Sequence, residues 1–179
     1  MSEPVAWHPA GADPGCALRG HVLDVLGPGG VEVGRLCPAC GSARHGHPWA
    51  RHTPSPAGGV REVHVSLSRA GDHLVTAVSL AGPVGVDVEL VADVASRWQP
   101  ELVLSPGEDA GSAEEMAWLW CAKEAVLKRR GTGLTVPMTE VRLVDEAGVT
   151  PLQTPVGLTG ALASGNADPA RSGLRQGRQ

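Results

Sequence analysis

Two short runs, Gly85-Val86-Asp87-Val88-Glu89 and Trp120-Cys121-Ala122-Lys123-Glu124-Ala125-Val126-Leu127-Lys128, hold the residues best suited to chemistry. The first offers two carboxylates one residue apart. On a strand that spacing puts both on one face, about 7 Å apart at Cα. Hard oxygen donors at that separation suit one divalent cation, and Mg²⁺ takes one or two carboxylates together with substrate phosphates and water. Gly85, on the same face, leaves room for a phosphate to approach the backbone. The second run offers a third carboxylate, Glu124, and a lysine four residues on, Lys128. On a helix Trp120, Glu124 and Lys128 fall at i, i+4 and i+8 and form one stripe. Together these are the groups that hold a divalent cation against a pyrophosphate and move a phosphate-linked group onto a hydroxyl.

Each run alone has a plainer reading. Asp-x-Glu on a strand is most often its solvated face, and Glu124 with Lys128 is most often a surface ion pair worth about 0.3–0.5 kcal/mol. The second run argues against this, because Ala117, Leu119, Ala122, Ala125, Val126 and Leu127 make its helix apolar nearly all round. A covered helix carries a glutamate and two lysines only where other charges match them. Asp87, Glu89 and a cation–phosphate assembly would supply that match.

The elements that must position these groups follow from periodicity. Residues 60–67 alternate, with Val63, Val65 and Leu67 on one side, and read as a half-buried strand; 74–80 reads as a second, with Gly71-Asp72 as the turn between them. Val84–Leu90 reads as a third, with its valines in the core, and the three suggest an antiparallel meander. Ser105-Pro106-Gly107-Glu108 has the pattern of a helix start, with Pro at the first helical position. Ser112 with Glu115 repeats that pattern before a long helix over about Ala113–Arg130, which Gly131 and Gly133 stop. A short helix is expected over 18–26, an irregular loop over 37–59 and a strand over 139–144. Residues 1–16 read as a loose leader and 159–179 as a disordered tail. Strands, helix, strand is an α+β order, a helix against an antiparallel sheet.

The chain has 179 residues and a formal net charge of −4, with no Tyr or Phe and five Trp. An acidic balance with few aromatics argues against a nucleic-acid binder. No secretory signal and no run of membrane-spanning length is visible, so a cytoplasmic location is expected and no membrane partner. The four cysteines are then expected as free thiols.

Taken together, Val65-Ser66-Leu67-Ser68-Arg69-Ala70-Gly71, the Gly85–Glu89 run, and the Trp120–Lys128 run with Gly131 and Gly133-Leu134 resemble the 4′-phosphopantetheinyl transferases. The resemblance is closest to the type that activates carrier proteins of peptide and polyketide synthases. Gly46-His47-Pro48 resembles that family's Gly-Lys-Pro motif, and the likeness covers about residues 35–144. Its specific part is Gly-x-Asp-x-Glu followed at this separation by Trp-x-x-Lys-Glu-Ala-x-x-Lys.

The resemblance implies an α+β domain over about 17–158, an antiparallel sheet packed with a long helix, in two pseudo-related halves of about 17–83 and 84–158. The active site would lie between the halves, and a monomer is expected. It implies transfer of phosphopantetheine from coenzyme A to a serine of an apo acyl or peptidyl carrier protein. Asp87, Glu89 and Glu124 would hold Mg²⁺, Glu124 would take the serine proton, and Lys128 would steady the phosphate and the leaving nucleotide. His47, Ser68, Arg69 and Lys128 would bind coenzyme A.

This chain departs from the pattern in carrying Arg69 where the family has a histidine and His47 where it has a lysine. Arg is a permanent cation whose fork fits phosphate, while His is mostly neutral near pH 7. Much of the usual N-terminal helix and strand is not recognisable, and further strands are expected after 139–144 where none is legible. A degenerate homologue that binds coenzyme A or a carrier protein without transfer is therefore an alternative. Cys37-Pro38-Ala39-Cys40 with His45, His47 and His52 nearby also raises a zinc-stabilised interaction module. Cysteines of an ordinary loop are the simpler reading.

Overall fold

The computed structural model describes residues 4–37, 39–56 and 58–165. Its strands are β1 Val5–Pro9, β2 Gly29–Leu36, β3 His47–Pro54, β4 Arg61–Ala70, β5 His73–Ser79, β6 Val84–Leu90, β7 Val149–Pro151 and β8 Leu158–Ser164. The helices are α1 Pro14–Leu26, α2 Val91–Ser96, α3 Pro100–Val103 and α4 Ala113–Arg130. The strands form two sheets, β1-β5-β4-β3-β2 and β6-β8-β7. All pairings are antiparallel. The fold is α+β.

Both long helices start on sequence-encoded caps. Asp13 accepts the Cys16 N–H at 2.8 Å ahead of α1, with Pro14 in its first turn. Ser112 and Glu115 form a reciprocal capping box on α4, and Gly131, left-handed at φ +75°, closes it behind Lys128, Arg129 and Arg130. Acids at its start and bases at its end complement the helix dipole.

Helix α1 covers one face of the five-stranded sheet through Leu18 and Val22, against Ala50, Val63, Val65 and Val78. The other face meets β6, where Val84, Val86 and Val88 pack on Ala70, Val75 and Ala77. Helix α4 lies across the opposite side of β6 and β8, with Ala122, Ala125 and Val126 against Ala161 and Ala163. A Cβ on Gly85 would fall 1.9 Å from the Ala125 carbonyl oxygen and 2.6 Å from the Arg129 nitrogen. Gly85 thus lets the α4 backbone rest on β6, and the space expected beside it for a phosphate is filled by the helix.

The expected turn at Gly71-Asp72 joins β4 to β5. The meander does not continue, however: β6 pairs with β8 and starts the second sheet. The segment expected as a loose leader contains β1, which runs from Val5 against Ala77 to Pro9 against His73, and the first turn of α1. Residues expected as a loop over 37–59 include β3, paired with β2.

No strand forms over 139–144. Short 3₁₀ turns occupy Met138–Glu140 and Leu143–Asp145, and the Val141 carbonyl accepts the Ser105 hydroxyl at 3.1 Å instead of joining a ladder. Ser105-Pro106-Gly107-Glu108 starts no helix: Glu108 accepts the Ser105 N–H at 2.8 Å, but Gly107 is left-handed at φ +88° and the Ser105 hydroxyl donates to the Val141 carbonyl instead of capping a following N–H. The strands thought missing after 144 are β7 and β8, so residues 159–164 belong to a sheet. The remainder of the expected tail, 166–179, lies outside the described residues.

Candidate active site

Asp87 stands on β6 between the sheet and α4, only 3 % exposed. Its Oδ1 accepts the Ser68 hydroxyl at 2.8 Å and the Lys128 ammonium at 2.6 Å. Among the described residues its Oδ2 is buried and has no hydrogen-bonding partner. An unmatched carboxylate oxygen in that position costs about 1–3 kcal/mol or more unless something binds it.

Among the described residues the edge of β6 that faces β4 has no strand partner, and side chains satisfy it. The Val86 N–H donates to Ser66 Oγ at 3.0 Å, and Lys128 donates to the Val86 carbonyl at 3.1 Å. Lys128 reaches this edge because α4 rests directly over Gly85. Close helix packing and the placement of the lysine therefore have one cause.

Glu89 and Glu124 are half-buried beside Asp87. Burial pushes Glu89 up to about 7, and Asp87 adds to it; Lys128 opposes, Glu124 adds further, and a hydrogen bond from Trp120 opposes. Burial and then Asp87 likewise raise Glu124, against the pull of Lys128. Three carboxylates thus share one ammonium, and full ionisation would leave two uncompensated negative charges in a partly dry cleft. Hard oxygen donors with that imbalance, one of them an orphaned buried atom, fit a divalent cation. They are not tightly gathered: among the described residues, the set of ligand atoms lying within 4.8 Å of one another is that of Cys37, Cys40 and His45.

The expected helix stripe is present: Glu89 bonds Trp120, Asp87 bonds Lys128, and Glu124 lies between them on α4. Lys123 departs from expectation. It is fully enclosed and matched by Glu108, Val103 O at 2.6 Å, Ser105 Oγ at 2.9 Å and Met138 O at 3.2 Å, with no part in the acidic cleft.

Of the other expected site residues, Ser68 is joined to Asp87, and His47 lines a cavity of about 280 Å³ together with Arg51, His64 and Lys128. A second cavity, about 380 Å³, is lined by Arg35 and Thr132 and shares His47 and Lys128 with the first. Burial lowers the His47 imidazole, which keeps it neutral near pH 7. Arg69 does not line either cavity: it donates to the backbone carbonyls of Ala10 and Ala12, bracing the turn that precedes α1.

Arg35 and Arg51 were not legible as site residues. The signal for Arg51 was the alternation His47-x-Trp49-x-Arg51, which puts all three on one face of β3. The Arg51 guanidinium lies 5.5 Å from the Trp49 ring centroid.

Residues 83–165 match the family model of the 4′-phosphopantetheinyl transferase superfamily, and this segment is similar to that superfamily. The match spans β6, α4 and β8, and with them Asp87, Glu89, Glu124 and Lys128. Over 128 residues the chain is 33 % identical to an L-aminoadipate-semialdehyde dehydrogenase-phosphopantetheinyl transferase of Eremothecium gossypii, covering 62 % of this chain and 42 % of that protein. It is 37 % identical over 75 residues to the 4′-phosphopantetheinyl transferase AcpT of Escherichia coli K12, covering 37 % of this chain and 38 % of the relative. The chain therefore spans about two fifths of the length of the curated relatives it matches.

Proposed function

We propose that the chain transfers 4′-phosphopantetheine from coenzyme A to a serine hydroxyl of an apo acyl or peptidyl carrier protein, with Mg²⁺ as the divalent ion. The observation that carries this reading is the Asp87 carboxylate, buried, held by Lys128 and Ser68 on one oxygen and unmatched on the other. It lies in the segment that matches the superfamily.

In the reaction the serine Oγ forms a bond to the β-phosphorus of coenzyme A, the P–O bond to 3′,5′-ADP breaks, and the serine proton leaves. Glu124 takes that proton, directly or through one water; its raised pKa makes it a better base than a solvated carboxylate. Lys128 holds Asp87 in place and presents its ammonium to the phosphate under attack. Asp87, Glu89 and Glu124 would hold Mg²⁺, which when bound supplies positive charge against the pyrophosphate.

Coenzyme A would lie along the cavities lined by His47, Lys128, Arg35 and Arg51. Arg69 donates to the Ala10 and Ala12 carbonyls and lines neither cavity, so it is left out of this coenzyme A path. Action on carrier proteins of secondary metabolism, as a monomer in the cytoplasm and without nucleic acid or membrane, belongs to the same proposal. Among the described residues no helix is long and apolar enough to cross a membrane.

The proximity of the four chemical residues, in the Lys128–Asp87 ion pair and the charge coupling of Glu89 and Glu124 to both, favours an enzyme over a silent binding homologue. The test is Glu124→Gln, assayed by intact mass of an apo carrier protein. We expect unchanged folding and a loss of turnover of about 10²–10⁴-fold, the usual worth of a general base. Turnover like the parent's would remove Glu124 from that role.

A further inference from the structure

The β2–β3 ladder ends at the pair Leu36 and His47, so the loop between them leaves and returns at one place. Inside it the Cys37 carbonyl accepts the Gly41 N–H at 2.8 Å, and the Cys37 N–H donates to the Ser42 carbonyl at 2.9 Å. The turn passes through Gly41 in the left-handed region, at φ +70°. The backbone N–H groups of Ala39 and Cys40 point at the Cys37 sulfur. These bonds hold Ala39, Cys40, Gly41 and Ser42 back against Cys37. The chain then brings back His45, whose Nε2 lies 3.4 Å from Cys40 Sγ, and the three ligand atoms all lie within 4.8 Å of one another. A tetrahedral zinc, with Zn–S of about 2.3 Å and Zn–N of about 2.0 Å, requires a sulfur–nitrogen separation of about 3.5 Å.

We infer that Cys37, Cys40 and His45 bind one Zn²⁺, with water in the fourth position. The histidines close in sequence are sorted by the fold. A Cβ on Gly131 would lie 3.0 Å from His47 Nε2, so that ring faces the end of α4; His52 Nε2 is 3.2 Å from the Gly27 carbonyl oxygen, and this buried ring belongs to the core. Two thiolates and an imidazole select zinc, while the all-oxygen donors around Asp87 select Mg²⁺, so the two sites do not compete for one ion. Zinc binding releases the two thiol protons to solvent. The ion would brace the hairpin end that carries Arg35 and His47 to the cavity shared with Lys128.

The test is metal content of the whole chain, purified under reducing conditions without chelator, and Co²⁺ uptake after zinc removal. Neither readout depends on transferase activity. The expected result is one zinc per chain and a thiolate-to-Co²⁺ absorption band. Cys40→Ser should remove both, His45→Ala should weaken zinc by at least about a hundredfold, and Cys16→Ser should change neither. Because Cys40 and His45 are exposed, far-ultraviolet circular dichroism should match the parent for these variants. Folded parent protein that takes up neither ion would overturn the inference. So would zinc content indifferent to Cys40→Ser and His45→Ala, or a Cys37–Cys40 disulfide persisting under reduction.

Discussion

Replacing Lys123 by methionine keeps the length of the side chain and removes its charge. The ammonium is fully enclosed and is held by Glu108, the Ser105 hydroxyl and the carbonyls of Val103 and Met138. Without it, Glu108, whose side chain is 17 % exposed, keeps only the Ser105 N–H at 2.8 Å and the Leu143 N–H at 3.3 Å. Breaking an enclosed pair by deleting one partner costs about 3–5 kcal/mol. For a chain of this size that lowers Tm by about 6–20 °C. Lys123→Met should show that loss in thermal or urea unfolding. Glu108→Gln should also destabilise, and the double variant should lose less than the sum by about 1–3 kcal/mol, since the two groups are one interaction. Transfer by the folded fraction of Lys123→Met should be close to the parent's, because the ammonium makes no contact with the acidic cleft. A Lys123→Met variant within about 1 kcal/mol of the parent, with additive single changes, would refute the reasoning.

The same pair sets a pH dependence. Burial pushes Glu108 up, but the hydrogen bonds from Lys123, Ser105 and Leu143 outweigh it and hold it below the usual carboxylate value of 4.5. A carboxylate lowered on folding stabilises fully above its unfolded value and loses that contribution as pH falls through the folded one. Acid unfolding curves below pH 4.5 should therefore flatten in Glu108→Gln, and an unchanged acid limb would count against the assignment. Gly85→Ala should cost more than about 3 kcal/mol or prevent folding, since its Cβ meets α4 backbone rather than a flexible side chain; a stable variant defective only in coenzyme A binding would instead restore the open space beside Gly85. Arg69→Ala should change the KM for coenzyme A and for 3′-dephospho-coenzyme A equally, since its guanidinium braces Ala10 and Ala12; a several-fold larger rise for coenzyme A would instead place Arg69 at the 3′-phosphate.

What was legible in the sequence was whatever rests on a repeating pattern. The alternating valines of β4 to β6, the Ser112–Glu115 cap and the apolar run of α4 each declare an element, and the i, i+4, i+8 stripe puts Trp120, Glu124 and Lys128 on one face, where Lys128 pairs with Asp87. The strands that escaped notice are defined by their partners. Strand β3 contains Pro48 and Pro54, and β8 is built largely of Gly160, Ala161, Ala163 and Ser164, which carry little strand preference of their own. Their small side chains are what α4 packs on, so the composition that hid the strand is what its place in the core requires. At 139–144 the alternation was real, but the Val141 carbonyl serves Ser105, as that of Met138 just before it serves Lys123, rather than a neighbouring strand. A single sequence also could not distinguish Lys123 from Lys128, because the match for the first, Glu108, comes from a turn that reads as a helix start.

The central claim is tested most directly by the intact mass of an apo carrier protein after incubation with this chain, coenzyme A and Mg²⁺, with an EDTA control and an Asp87→Asn control. The account predicts a mass gain of one phosphopantetheine on the carrier, lost in both controls. No gain on several carriers, from protein shown to be folded, would contradict it.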